Sequence, residues 1–180
     1  RGFRVAAARN RAIALAAGEA VLFLDGDSVP HPAWVGDHLA LLRPGRFVQG
    51  HRVLLGPAVT KQIARKDIEG GRLFRLPFLL AQARRGEVGN IHNALRIPFL
   101  GGIPHAGAID RGIRTANLSV PLAGLLAVNG FDEAYEGWGR EDADLAVRLS
   151  HAGLARVDAR GRAIVFHLAH EIASREGLSA

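Results

Sequence analysis

The sequence predicts an α/β fold, a mostly parallel sheet flanked by helices, and three observations carry that expectation. Short apolar runs such as "AVLFL" (20–24) and "RAIVFH" (162–167) are bounded by turn residues, as buried strands are. They alternate with segments of helical composition, the pattern of helices layered on a sheet. A length of 180 residues with 48% apolar and 22% charged composition suits one globular domain with a real core.

Taken in order, Arg4 to Ala17 is rich in Ala and Leu and reads as a helix closed by Gly18. Ala20 to Leu24 follows as a buried strand. A second helix is expected in "HPAWVGDHLALLR" after Pro30, and a strand in "RFVQGHRVLL". From about Pro57 to Asp110 the pattern weakens: "KQIARKDIEGGRLFRLPFLLAQARR" is helical in pieces, and "LGGIPHAG" is a loop. "IRTANLSV" is predicted as a strand. "REDADLAVRLSHAG" is predicted as a helix, because Asp142, Leu145 and Leu149 share one face and Gly153 closes it. "RAIVFHLAHE" is the expected last strand, running into a loop.

Composition excludes several classes. Without cysteine there is no disulfide and no thiolate metal site, so any metal must sit on oxygen or imidazole. No apolar run reaches the ~18 residues a membrane span needs, and no signal-peptide pattern opens the sequence. Methionine is absent and the first residues read as the middle of a fold, so a segment of a longer protein is expected, with elements before Arg1 missing. The net charge of +6 is mostly scattered arginine. Such a surface suits solvation, phosphorylated ligands or an anionic membrane face, and nucleic acid is not expected because no basic stripe carries interleaved aromatics.

The chemistry concentrates in three places. The first is "VLFLDGDSVP", where a strand ends in Asp25-Gly26-Asp27. Ligands of open α/β sheets bind beyond the strands' carboxyl ends, and two carboxylates there suit Mg²⁺ or Mn²⁺ with substrate phosphates. A capping turn is a second reading of the same residues. A third is the Asp-x-Asp-x-Val nucleophile motif of haloacid-dehalogenase-type phosphatases, although no later aspartate pair completes that site. The second place is "NGFDEAYEGWGREDADL". There Glu141 and Asp142 open a helix beside Trp138, a set suited either to the helix dipole or to a general base over a sugar ring. The third is "VFHLAH", which puts His167 and His170 at a strand end, as packed residues or as imidazole ligands.

Together these motifs resemble family 2 glycosyltransferases of the GT-A fold. "ARNRAIALAAGEAVLFLDGDSVP" is similar to that family's Ala-Arg-Asn helix and Asp-x-Asp strand end. "GWGREDADL" and "VFHLAHE" are similar to segments of galactosyltransferase-like and chondroitin-polymerase-type members. The resemblance covers roughly 3–55 and 112–171. It implies one domain truncated at its N-terminus, with a donor and metal part in 1–55 and an acceptor and catalytic part in 112–171. It also implies inverting, Mn²⁺- or Mg²⁺-dependent transfer of a sugar from a nucleotide diphosphate, expected to be UDP-linked, to a hydroxyl of a glycan or glycolipid. Asp25 and Asp27 would hold metal and nucleotide, with His167 the favoured further ligand and His170 the alternative. Asp142 would be the base, Glu141 and Trp138 would hold the acceptor, and Arg9, Asn10 and Asn117 would lie near the donor. Ala143 stands where galactosyltransferases often carry another acid. A cytoplasmic setting is expected, with peripheral association at the inner face of a membrane. A non-catalytic carbohydrate-binding remnant of the fold is the remaining alternative.

Overall fold

The computed structural model describes residues 4–135 and 140–170. Its elements run α1 (Val5–Leu15), β1 (Ala20–Leu24), β2 (Ser28–Pro30), α2 (Trp34–Leu41), β3 (Arg46–Gln49) and β4 (His51–Leu55). Then come α3 (Pro57–Gln62), α4 (Arg65–Glu69), α5 (Leu76–Ala83), β5 (Val88–Gly89) and β6 (Ile103–Pro104). The chain closes with β7 (Asn117–Pro121), α6 (Leu122–Ala127), α7 (Glu141–His151), β8 (Ala155–Asp158) and β9 (Ile164–His167). This is an α/β fold of open mixed sheets flanked by helices, consistent with a GT-A domain.

One sheet has the order β1-β7-β3-β8-β6 and the other β2-β9-β4-β5. The chain therefore crosses from the first sheet to the second three times: at the Asp25-Gly26-Asp27 turn, at Gly50, and through 159–163. These crossings form a seam, and the candidate site lies along it.

The sheets are less parallel than expected. Among the described residues only β3–β8 and β4–β9 pair in parallel. The other pairings are antiparallel. In the first sheet β7 runs against both β1 and β3 and sets Asn117 opposite Leu24, and the short β6 runs against β8. A strand buried on both faces has the same apolar pattern in either direction, so the reversal leaves no trace in the sequence.

The helices find their partners by burying apolar stripes. Ala6 and Ile13 of α1, Leu125 of α6, and Leu145 and Leu149 of α7 pack with Phe47, Leu118 and Val120 of the first sheet. Val53, Leu55 and Phe166 of the second sheet pack with Leu73 and Leu79. Each fully buried Val, Leu, Ile or Phe among these contributes about 1.5–3 kcal/mol. Gly153 closes α7 at φ +89°, a left-handed conformation in which other residues are strained. Helix α1 departs from expectation, because the chain turns extended at Ala16 and the helix needs no glycine cap. Among the described residues no helix is long and apolar enough to cross a membrane.

Asn117 ties the seam together. Its Oδ1 accepts from Trp34 Nε1 and His38 Nε2, both at 2.8 Å. Its Nδ2 donates to the carbonyls of His51 (2.9 Å) and Ala163 (2.7 Å). Those two carbonyls belong to residues at the second and third crossings. Because carbonyls fix the amide's orientation, His38 must carry its proton on Nε2, and its Nδ1 accepts from Ser119 Oγ at 2.9 Å. Burial lowers the pKa of His38 to about 4, against partial opposition from Asn117 and Asp37. Gly50 passes so close to Asn117 that a Cβ there would overlap the amide.

Candidate active site

Strand β1 delivers Asp25 to the seam, and Ser28 N donates to the Asp25 carbonyl at 3.1 Å to close the turn. Strand β2 then pairs antiparallel with β9, setting Ser28 opposite His167, while Leu168 N donates to the Asp27 carbonyl at 2.9 Å. These backbone ties hold the Asp27 side chain against the end of β9. His167 Nε2 lies 3.5 Å from Asp27 Oδ1, and His170 Nε2 lies 3.1 Å from Asp27 Oδ2. One ligand atom from each of the three falls within 4.8 Å of the others. One carboxylate and two imidazoles suit Mn²⁺ better than Mg²⁺, which prefers oxygen alone. Burial lowers the pKa of His167, with Asp27 opposing, and so favours the neutral ring that can ligate a metal.

Asp25 stands outside that group. Its carboxylate faces Arg9, with Nη2 at 3.8 Å. Burial raises its pKa, Arg9 opposes the rise, and the charges of Asp27 and Asp142 add to it.

The acidic helix start lies across the same seam. Asp142 Oδ1 accepts from Thr115 Oγ1 at 2.7 Å and from Arg9 Nη1 at 3.1 Å. Its Oδ2 accepts from Thr115 N at 3.0 Å. A carboxylate has about four lone-pair positions, so one remains on Oδ2. Glu141 is buried and accepts from Arg9 Nη1 at 3.2 Å. Arg9 also stacks over the Phe131 ring, 5.2 Å from its centroid. One guanidinium thus joins α1, the Asp-Gly-Asp turn and the start of α7.

The three residues expected near the donor also have partners within the protein. Arg9 is held by the carboxylates of Asp25, Glu141 and Asp142. Asn10 clamps the backbone of Phe131, accepting from its N–H and donating to its carbonyl, both at 2.8 Å, and also donates to Glu133. It fixes the loop that leads to α7. Asn117 is fully buried with every amide position used inside the protein, so it has none left for a ligand. Trp138 lies outside the described residues. Thr115 and Arg52 escaped notice, since a lone threonine and one arginine among many carry no distinguishing pattern. The phosphatase reading of the turn gives no role to His167 and His170, which the fold brings onto Asp27.

Residues 111–171 match the family described as the N-terminal domain of galactosyltransferase. Two curated relatives are validoxylamine A glucosyltransferases of Streptomyces hygroscopicus, from subsp. jinggangensis (strain 5008) and subsp. limoneus. Each is 28% identical over 166 residues, covering 85% of this chain. The match covers 36% and 34% of the relatives, so the chain spans about a third of their length. Residues 1–97, more than half of the chain, match glycosyl transferase family 2, and the chain belongs to that family.

Proposed function

We propose that this chain is the catalytic domain of an inverting, divalent-metal-dependent glycosyltransferase that moves a sugar from a nucleotide diphosphate, UDP-linked in the simplest case, to a hydroxyl of a glycan or glycolipid. The observation that carries this reading is the Arg9 bridge. It couples the turn that bears Asp25 and Asp27 to Asp142, which supports a metal-capable cluster and a base working on one donor and acceptor pair. The relatives' printed activity, glucosyl transfer, supports a hexose as the sugar.

A cation held by Asp27, His167 and His170 would neutralise the charge that develops on the departing diphosphate. Asp25 assists on the nucleotide side of the same turn. Asp142 takes the proton of the acceptor hydroxyl at Oδ2, as the hydroxyl oxygen bonds to the anomeric carbon and the bond from that carbon to the diphosphate oxygen breaks. Thr115 and Arg9 set the direction of the carboxylate, and general-base catalysis of this kind is worth about 10²–10⁴-fold. Glu141 braces Arg9 from below, and Trp138 supplies a platform for the acceptor sugar. Residues 1–55 then form the donor part and 112–171 the acceptor part of one domain. A cytoplasmic setting at the inner face of a membrane fits a glycolipid acceptor, and the net charge of +6 supports it.

The test is a panel of nucleotide sugars with acceptor glycans, in Mn²⁺ or in chelator, read by nucleotide release. Release with one donor, lost in chelator, is the expected result. No release with any donor contradicts the reading.

A further inference from the structure

Arg52 is the unexplained cation of the cleft. It lies on β4 opposite Val165 of β9, two residues before Leu54, which is opposite His167. Side chains two apart on a strand share a face, and so do paired residues on neighbouring strands. Arg52 therefore projects from the same face of the sheet as His167. It is half-buried, yet among the described residues no hydrogen bond and no ion pair holds its guanidinium. The charges of Asp25, Asp27 and Asp142 act on it electrostatically. Arg114, exposed and also without a side-chain ion pair, is its strongest charged neighbour.

This pairing has an energetic cost. Burial, and next the like charge of Arg114, press down the pKa of Arg52. The three carboxylates oppose this, but Arg9 already engages Asp25 and Asp142, and Asp27 lies against His167 and His170. Arg52 thus feels the like charge of Arg114 on the sheet face of His167, and among the described residues no anion is in contact with it. A diphosphate is the anion that such a cleft lacks, because a planar guanidinium fork matches phosphate oxygens in two-point contact.

We propose that Arg52, with Arg114 beside it, is an anion clamp that grips the donor's diphosphate and offsets its charge as it leaves. This deepens the proposed function and rests on it. Arg52 binds the phosphates from β4, while the cluster of Asp27, His167 and His170 addresses them from β9 and the turn.

The experiment measures calorimetric binding of UDP, GDP and inorganic pyrophosphate, each with Mn²⁺, to the full chain and to Arg52→Ala and Arg52→Lys. Manganese binding without nucleotide is read by electron paramagnetic resonance. Arg52→Ala is expected to weaken diphosphate binding by about 10- to 100-fold. Arg52→Lys should recover part of it, and Mn²⁺ affinity without nucleotide should not fall. Unchanged diphosphate binding in Arg52→Ala, with the wild type binding well, overturns the clamp and leaves the transferase reading intact. A fall in Mn²⁺ affinity equal to the fall in diphosphate affinity overturns it too, because Arg52 would then act only through the cluster. A wild-type chain that binds no diphosphate with Mn²⁺ overturns both.

Discussion

Arg9 Nη1 lies 3.1 Å from Asp142 Oδ1, and through this contact a residue near the start of the chain sets the direction of the candidate base. The same guanidinium reaches Glu141 and Asp25. Arg9→Ala therefore leaves three carboxylates facing one another without their shared cation. It should cost roughly 1–3 kcal/mol in urea unfolding and lower kcat more than it raises KM. A change confined to KM would assign Arg9 to the donor after all.

Asp142 and Thr115 separate catalysis from binding. Asp142→Asn should lower kcat by about 10²–10⁴-fold while Mn²⁺-dependent donor binding persists. Thr115→Val removes the 2.7 Å hydroxyl contact but keeps the backbone N–H. It should lower kcat by roughly 10-fold through misorientation of the carboxylate, with little effect on donor affinity.

Metal binding divides the cluster from Asp25. His167→Ala and His170→Ala should each weaken Mn²⁺ binding by about 10-fold or more, since each removes one of three ligand atoms within 4.8 Å. Asp25→Asn should weaken metal binding less than Asp27→Asn does, because Asp25 faces Arg9. Equal losses at Asp25 and Asp27 would place both carboxylates on the ion.

The Asn117 network governs stability and its pH dependence. Gly50→Ala pushes a methyl group into the Asn117 amide and should destabilise the protein by about 1–3 kcal/mol. The pKa of His38 is lowered to about 4 in the fold, so the unfolded chain binds its proton first as pH falls. The stability linked to His38 is therefore complete above about pH 6.5 and is lost progressively towards pH 4, by roughly 3 kcal/mol. Urea unfolding at stepped pH should show this slope, and His38→Gln, which offers a neutral donor and acceptor, should flatten it.

Much of this fold is legible in the sequence, and the illegible parts have physical reasons. Ala20–Leu24 stands out by its apolar run between turn residues, and Glu141–His151 by its apolar period and the positive-φ Gly153 that closes it. Strand β8, "ARVD", escapes because four residues of mixed character look like loop until β3 pairs beside them. Strand β2 is three residues long and owes its form to β9. At the site, Asp27, His167, His170 and Asp142 are found from the elements that carry them, because the ends of β1 and β9 and the start of α7 can be read from the sequence. The partners of Asn10 and Asn117 cannot be read this way, because an amide that grips backbone and one that grips a ligand are the same letter. Arg52 is legible only once β4 and β9 are seen side by side.

The most direct test compares donor binding in Asp27→Asn and Asp142→Asn, titrating the donor that the panel selects in the presence of Mn²⁺. Asp27→Asn should lose Mn²⁺-dependent affinity, and Asp142→Asn should keep wild-type affinity while losing turnover. Full turnover in Asp142→Asn, or unchanged affinity in Asp27→Asn, would contradict the division of this cleft into a metal side and a base side.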